Sequence, residues 1–293
     1  MRVSTNYQFE TMRSKMNTAG DNYRVAQQRV SSGKRINSLS DDPRGLSDVL
    51  TMRGVKASIE QYKTNLDRAS TWLKTSESSL SEVGNLLNRA NSLAISGASA
   101  TTSMDSRRAM AVEVQTIRDQ VFSLANSKGP TGGYLFAGTA TDKQPFNIAT
   151  TGIAFQGNSG TMKVEANAND AVTINTDAQQ LFTTIYTTLD QLKTNLEGGS
   201  TTTISDVSIK AVQDGISLLN NIRGDVGTRA KSVESFQNDH SRRIEELTSS
   251  ISNLEDVDLS QAIMEYKSAE TAYQASLQVM SQGFGLSLLN YIK

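Results

Sequence analysis

One histidine, His240, occurs in the 293 residues, and it is the only side chain whose ordinary pKa suits a base or a switch near neutral pH. It falls among Val233, Gln237, Ile244 and Leu247 at helical spacing, which reads as a packed seam residue rather than a general base. One histidine cannot furnish a two-histidine metal site, and no Ser-His-Asp triad can be assembled around this one. Cysteine is absent, so thiolate nucleophiles, thiolate metal sites and disulfides are excluded and the redox compartment stays open. Asp41 and Asp42 are adjacent carboxylates, yet they stand directly before Pro43. An aspartate followed by proline is the start signal of a helix, so Asp41, Asp42 and Pro43 read as a cap and junction. The run Leu254-Glu255-Asp256-Val257-Asp258 reads as a second junction. Gly129 to Gly138 is not followed by a helical pattern, and Gly157-Asn158-Ser159-Gly160-Thr161 lacks the lysine of a phosphate loop, so both read as turns. The expectation is a protein that is not an enzyme, with no cofactor and no metal.

What these residues sit on is more informative. Val55, Ile59, Tyr62, Leu66, Ala69, Leu73, Ser76, Leu80, Val83, Leu87, Ala90 and Ala94 alternate in steps of four and three, and Ser76 is the one departure from an apolar seam. A chain that is 37% hydrophobic fills roughly four or five of twelve arbitrary positions, so the run predicts a coiled-coil-like helix of about 60 Å. The spacing returns as Val212, Ile216, Leu219, Arg223, Val226, Ala230, Val233, Gln237, His240, Ile244, Leu247, Ile251 and Leu254. Each seam is the other's nearest partner. Shorter seams lie at the ends: Phe9, Met12, Met16, Ala19, Tyr23, Ala26, Val30, and Tyr266, Ala269, Tyr273, Leu277, Met280, Phe284. Gly33 reads as the stop of the first. Met110, Val114, Ile117, Val121 and Leu124 predict a helix folding back on the second, and Leu181, Ile185, Leu189 and Leu192 predict another.

From Asn126 to Asn175 the texture turns to Gly, Thr and β-formers. Residues 153–156 and 162–165 read as a hairpin around Gly157 to Gly160, with Val172-Thr173-Ile174 as a further strand.

Net charge is −1, with no dense basic block, which argues against nucleic acid. No apolar run reaches membrane-spanning length, and the N-terminus carries no apolar core of signal-peptide length. The chain is therefore expected neither to insert in a membrane nor to carry a cleaved leader, and export would need a dedicated machine. The ends are complementary. Residues 1–45 hold eight Lys/Arg against four acids, and residues 255–293 hold five acids against two lysines. That difference favours pairing of the two termini with each other.

Specific motifs then resemble a family. Ser31-Ser32-Gly33-Lys34-Arg35-Ile36-Asn37 followed by Asp41-Asp42-Pro43 is similar to the hallmark that ends the first helix of the flagellin superfamily of bacterial axial proteins. Arg223 to Arg229, Leu254 to Asp258 and Gly285-Leu286-Ser287-Leu288-Leu289 resemble its C-terminal motifs. Tyr134-Leu135-Phe136-Ala137-Gly138 with Pro145-Phe146, and the Met1-Arg2-Val3-Ser4-Thr5 start, resemble the branch at the junction of hook and filament rather than flagellin itself. The middle is short for this family.

The expected fold is α+β, mainly α: an elongated antiparallel helical rod with heptad seams, paired terminal helices and a small β-rich insertion. The expected division is a terminal helical assembly segment at 1–42 and 255–293, a helical rod at 43–128 and 177–254, and the insertion at 129–176. The Met and Tyr stripes nominate Phe9, Met12, Met16, Tyr23, Val30, Tyr266, Tyr273, Leu277, Met280 and Phe284 as the subunit-assembly surface, ordering when partners arrive. The resemblance implies a structural role in the extracellular flagellum, joining hook to filament, templating flagellin and serving motility, with export by the flagellar apparatus. The implied partners are copies of itself in a ring, hook-associated protein 1, flagellin and an export chaperone. A filament subunit, or a secreted adhesin or coiled-coil effector, is the alternative.

Overall fold

The structure, a computed structural model, describes residues 2–149 and 152–289, apart from the side chains of residues 2–6, 8 and 283–289. Helices dominate: α1 (Arg2–Ser32), α2 (Pro43–Ala98), α3 (Met104–Ala125), α4 (Gln179–Gly198), the short α5 (Thr201–Thr203), α6 (Ile209–Glu255) and α7 (Leu259–Leu289). A π-helical turn, Ile204–Ser208, joins α5 to α6. Between α3 and α4 lie β1 (Phe146–Ala149), β2 (Gly152–Phe155), β3 (Lys163–Glu165) and β4 (Ala171–Thr173). The chain is a mainly helical α+β protein.

Helix ends fall where the local chemistry places them. Gly33 adopts φ +70° directly after α1, and its N–H donates to the Arg29 carbonyl at 2.9 Å. Asp42 Oδ1 accepts the Gly45 N–H at 2.9 Å, capping α2, while Pro43 occupies the first helical position. The carbonyls of Gly97, in the last turn of α2, and of Ser99, just beyond it, are satisfied in a way no local motif announces. Arg107, from α3, is buried and donates from Nε to Gly97 O at 2.9 Å and from Nη2 to Ser99 O at 3.0 Å.

Two units are distinguished, dividing inside α2 between Ser58 and Ile59 and inside α6 between Ser241 and Arg242. In the unit from Ile59 to Ser241 the α2 seam is buried from Ile59 to Ala94 apart from half-buried Tyr62. Pairs Asp67–Gln237, Glu77–Arg223 and Gly84–Leu219 set α2 and α6 antiparallel. Arg89–Glu113 at 2.6 Å and the approach of Met110 to Gly97 set α3 antiparallel to α2. Leu181, Ile185, Leu189 and Leu192 of α4 are fully buried in the same core, each contributing about 1.5–3 kcal/mol of burial.

The β segments differ from the sequence expectation. Strands 153–156 and 162–165 do not pair. β1 pairs with β2 (Phe146 opposite Phe155) and β3 with β4 (Lys163 opposite Thr173), both antiparallel. The expected turn is committed elsewhere. Asn158 Oδ1 accepts from Thr139 N at 2.8 Å and Gly160 N at 3.0 Å, and the Asn158 N–H donates to Ala137 O. A Cβ on Gly138, at φ +71°, would overlap the Asn158 carbonyl, so the two backbones can meet only at glycine. The segment around them is pinned by fully buried aromatics: Phe182 of α4 lies 5.0 Å from Phe136 and 5.4 Å from Phe146 between ring centroids.

The other unit contains α1, α7, the start of α2 and the end of α6. α1 packs antiparallel to α7, since Tyr23 meets Tyr266 while Gly20, earlier in the chain, meets Tyr273. Here the α6 seam residues Ile244, Leu247, Ile251 and Leu254 are half-buried, and Val55, the first residue of the α2 seam, is exposed.

Candidate assembly surface

The nominated residues divide into an inward and an outward set. Tyr23 stacks between Tyr266 and Tyr273, at 5.5 and 5.7 Å between centroids, and its hydroxyl lies 3.3 Å from that of Tyr266. Gly20 makes room, since a Cβ there would come within 3.2 Å of the Tyr273 ring. The hydrogen bond with Tyr266, reinforced by burial, raises the Tyr23 pKa, because it favours the neutral phenol. These three tyrosines hold α1 to α7 within one chain. Val30 is half-buried nearer the helix end.

Phe9, Met12 and Leu277 are exposed, whereas Met16 and Met280 are half-buried. Met12, Met16, Val279 and Met280, with Lys15, Ala275 and Ser276, line a shallow groove of about 220 Å³ between α1 and α7. α7 extends through Phe284, whose side chain lies outside the described residues. Sequence periodicity missed the rest of the outward set: Tyr7, Leu259, Ile263, Met264 and Val279 are exposed, Met264 at 67%. Leu259 and Ile263 are one turn apart, and that spacing, offset from the tyrosine stripe, is the signal that marks them.

Below the tyrosines the two corners of the chain are bonded to each other. Arg35 N–H donates to Glu255 O at 2.7 Å and Val257 N–H to Gly33 O at 3.0 Å, a bridge between the α1–α2 and α6–α7 connections. The Glu255 carboxylate is buried and divides its oxygens between Lys34 Nζ (2.7 Å) and Arg53 Nη2 (2.5 Å). Arg29 reaches Glu265 at 3.6 Å. Asp41 Oδ2 accepts the N–H groups of Asn37 and Ser38 at 3.0 and 2.8 Å, which holds its carboxyl below the usual range. Asp41 thus ties the corner while Asp42 caps α2. Asp258 accepts the Ser260 N–H at 2.8 Å at the start of α7.

Elsewhere His240 is buried, with Nε2 2.7 Å from the Ala166 carbonyl and its ring stacked on Tyr62. It holds the β3–β4 hairpin to α6. Among the described residues no cluster of three His, Asp or Glu could bind a metal ion, and no helix is long and apolar enough to cross a membrane.

Two family models match the chain. The bacterial flagellin N-terminal helical region covers residues 3–141 and the bacterial flagellin C-terminal helical region covers residues 209–292. The chain is 28% identical to flagellar hook-associated protein 3 of Salmonella typhimurium across 98% of both sequences. It is 27% identical to flagellar hook-associated protein 3 of Escherichia coli across the whole of both. Among solved structures, flagellar hook-associated protein 3 of Legionella pneumophila shares its fold, with TM-score 0.64 at 14% identity over 70% of this chain and 98% of the other.

Proposed function

Because the chain belongs to the bacterial flagellin family, we propose that it is a structural subunit of the flagellum that joins hook to filament, templates flagellin polymerisation and so supports motility. The observation that carries this reading is the end-to-end correspondence with hook-associated protein 3, which spans the middle of the chain as well as its helical ends. Burial of Leu135, Phe136 and Phe146 supports it, because the segment resembling the junction branch is part of the main core.

On this reading the work is mechanical and the protein is not an enzyme. Residues 1–42 and 255–293 form the assembly segment, and 43–128 with 177–254 carry it; 129–176 is the insertion. Phe9, Met12, Met16, Leu277 and Met280 face neighbouring subunits, and Tyr23, Tyr266 and Tyr273 hold the two helices that present them. Copies of the chain form a ring on hook-associated protein 1, and flagellin stacks above. The termini complete their ordering when these neighbours arrive, so partner choice and folding coincide. An export chaperone accompanies the subunit, which leaves through the flagellar export apparatus to lie outside the cell.

Deleting the gene should leave flagellin secreted but unpolymerised. Purified protein should grow no long filaments by itself, and its addition to hooks already bearing hook-associated protein 1 should let them nucleate flagellin. Spontaneous growth of long filaments would overturn the junction reading in favour of a filament subunit.

A further inference from the structure

Oxidation cannot cross-link this chain through sulfur, because it has no cysteine. Coupling of two phenols is another oxidative route to a cross-link, and one pair is arranged for it. Tyr23 of α1 and Tyr266 of α7 stand 243 positions apart in sequence, yet their ring centroids lie at 5.5 Å, their planes 30° apart and their hydroxyls at 3.3 Å. Both rings are half-buried, whereas Tyr7 is 75% exposed. Small residues hold the pair on either side. Ala26 and Ala262, each one turn nearer the corner, are buried, and in the other direction Gly20 admits the Tyr273 ring. Tyr273 meets Tyr23 differently: the two rings are nearly parallel, 5.7 Å apart with planes at 6°, which puts faces rather than hydroxyls together.

We propose that Tyr23 and Tyr266 form an oxidative modification site, at which a one-electron oxidant closes a dityrosine staple between α1 and α7. In ortho-coupled phenols the two hydroxyls flank the new bond as neighbours, and the folded chain already holds them in that relation. Each phenol gives up one electron and its hydroxyl proton, and the unpaired spin of the phenoxyl radical spreads to the ring carbons ortho to oxygen. A carbon–carbon bond forms between one ortho carbon of each ring. The hydrogens those two carbons carried move to oxygen, which restores two phenols. The net loss is two electrons and two protons. Hydrogen peroxide takes them up through a haem peroxidase, its O–O bond breaks, and two waters form. Because both phenols are held in place by one fold, their coupling is intramolecular and outruns coupling by collision between chains.

Unsubstituted protein at low concentration, treated with a haem peroxidase and hydrogen peroxide, should gain dityrosine fluorescence in the fraction of single-chain size. Its digest should contain a peptide pair joining Tyr23 to Tyr266, lighter than the separate peptides by two hydrogens. α1 and α7 should then resist protease at least about tenfold longer, since a covalent link between distant positions restricts the opened chain. Tyr23→Phe and Tyr266→Phe keep the ring stack and should each lose that peptide pair, whereas Tyr7→Phe and Tyr273→Phe should keep it. Absence of dityrosine from the folded chain under conditions that couple free tyrosine, an intrachain link mapping to Tyr7 or Tyr273 instead, or a pair that survives Tyr23→Phe would each overturn the site. Should a variant not fold, the peptide map of the unsubstituted chain decides alone.

Discussion

The same heptad spacing has opposite outcomes in the two units. Between Ile59 and Ser241 the seam residues Leu66, Leu73, Leu80, Val83, Val226 and Val233 are all at most 1% exposed. In the other unit Ile244, Leu247, Ile251 and Leu254 are half-buried, and the seam residues Val55 and Leu277 are exposed. The pattern is shared and the number of partners is not. In the first unit α2 is covered by α3 and α6, with α4 and the Phe136–Phe146 segment closing the core. In the second, α1 and α7 have mainly each other. A seam states that a helix wants a partner, and exposure after folding states how much of that partner must come from another molecule.

Substituting one seam residue in each unit breaks the comparison most sharply. Val83→Asp should unfold the Ile59–Ser241 unit, because a carboxylate at a fully buried position loses hydration and gains no counter-charge, at a cost of roughly 3–5 kcal/mol. Loss of helical circular dichroism or a collapsed melting temperature is the expected reading. Leu277→Asp, on the outward face, should change free-subunit melting by no more than about 0.5 kcal/mol. It should nonetheless abolish incorporation into flagella, and normal incorporation would move Leu277 off the assembly surface. Removing residues 279–293 should behave in the same way as Leu277→Asp.

An intermediate effect belongs to the corner. Glu255→Ala removes a buried carboxylate that serves two cations and should cost about 2 kcal/mol, local to the terminal unit. Faster proteolysis of α1 and α7, with the main melting transition intact, is the measurement that checks it.

How much of this was legible depended on whether the signal was local. Seam spacing located α2, α6 and the buried face of α4, and Gly33 and Asp42-Pro43 located their neighbours' ends, because capping and periodicity act within a few residues. Pairing of β1 with β2 was not legible. The stretch Gly157 to Gly160 has the composition of a hairpin turn, and only its tertiary bonds to Ala137 and Thr139 divert it. The tyrosine stripe shared a face with the methionines in sequence, and only the antiparallel meeting of α1 with α7 turned Tyr23, Tyr266 and Tyr273 toward one another. Glu255 stood in a run of acids with nothing to mark it as the buried one; Lys34 and Arg53, more than two hundred positions away, decide that.

Acid should act on the corner before the core. The Asp41 carboxyl titrates below its ordinary value because the charged form accepts the Asn37 and Ser38 N–H groups. Its contribution is therefore fully present above the unfolded pKa of about 3.9 and is lost as pH falls through the lower folded value. Asp41→Asn should remove that acid dependence from the proteolytic susceptibility of residues 33–42, leaving the corner as susceptible at neutral pH as the unsubstituted chain is in acid.

The smallest effect is at the other end of the pH scale. In the folded chain the Tyr23 hydroxyl and Tyr266 hydrogen-bond, which favours the neutral phenol and raises the Tyr23 pKa above about 10. A raised pKa contributes stability that is complete below the unfolded value and disappears as pH rises through the folded one. Alkali should therefore loosen α1 from α7 only above pH of about 10, while the Ile59–Ser241 core keeps its melting transition. Tyr23→Phe should retain the ring stack with Tyr273 and Tyr266, and so the α1–α7 pairing at neutral pH, but abolish the alkaline step seen by proteolysis of the terminal helices. An alkaline step of equal size in Tyr23→Phe would assign it to another group and leave the hydroxyl pair without a part in holding the terminal helices together.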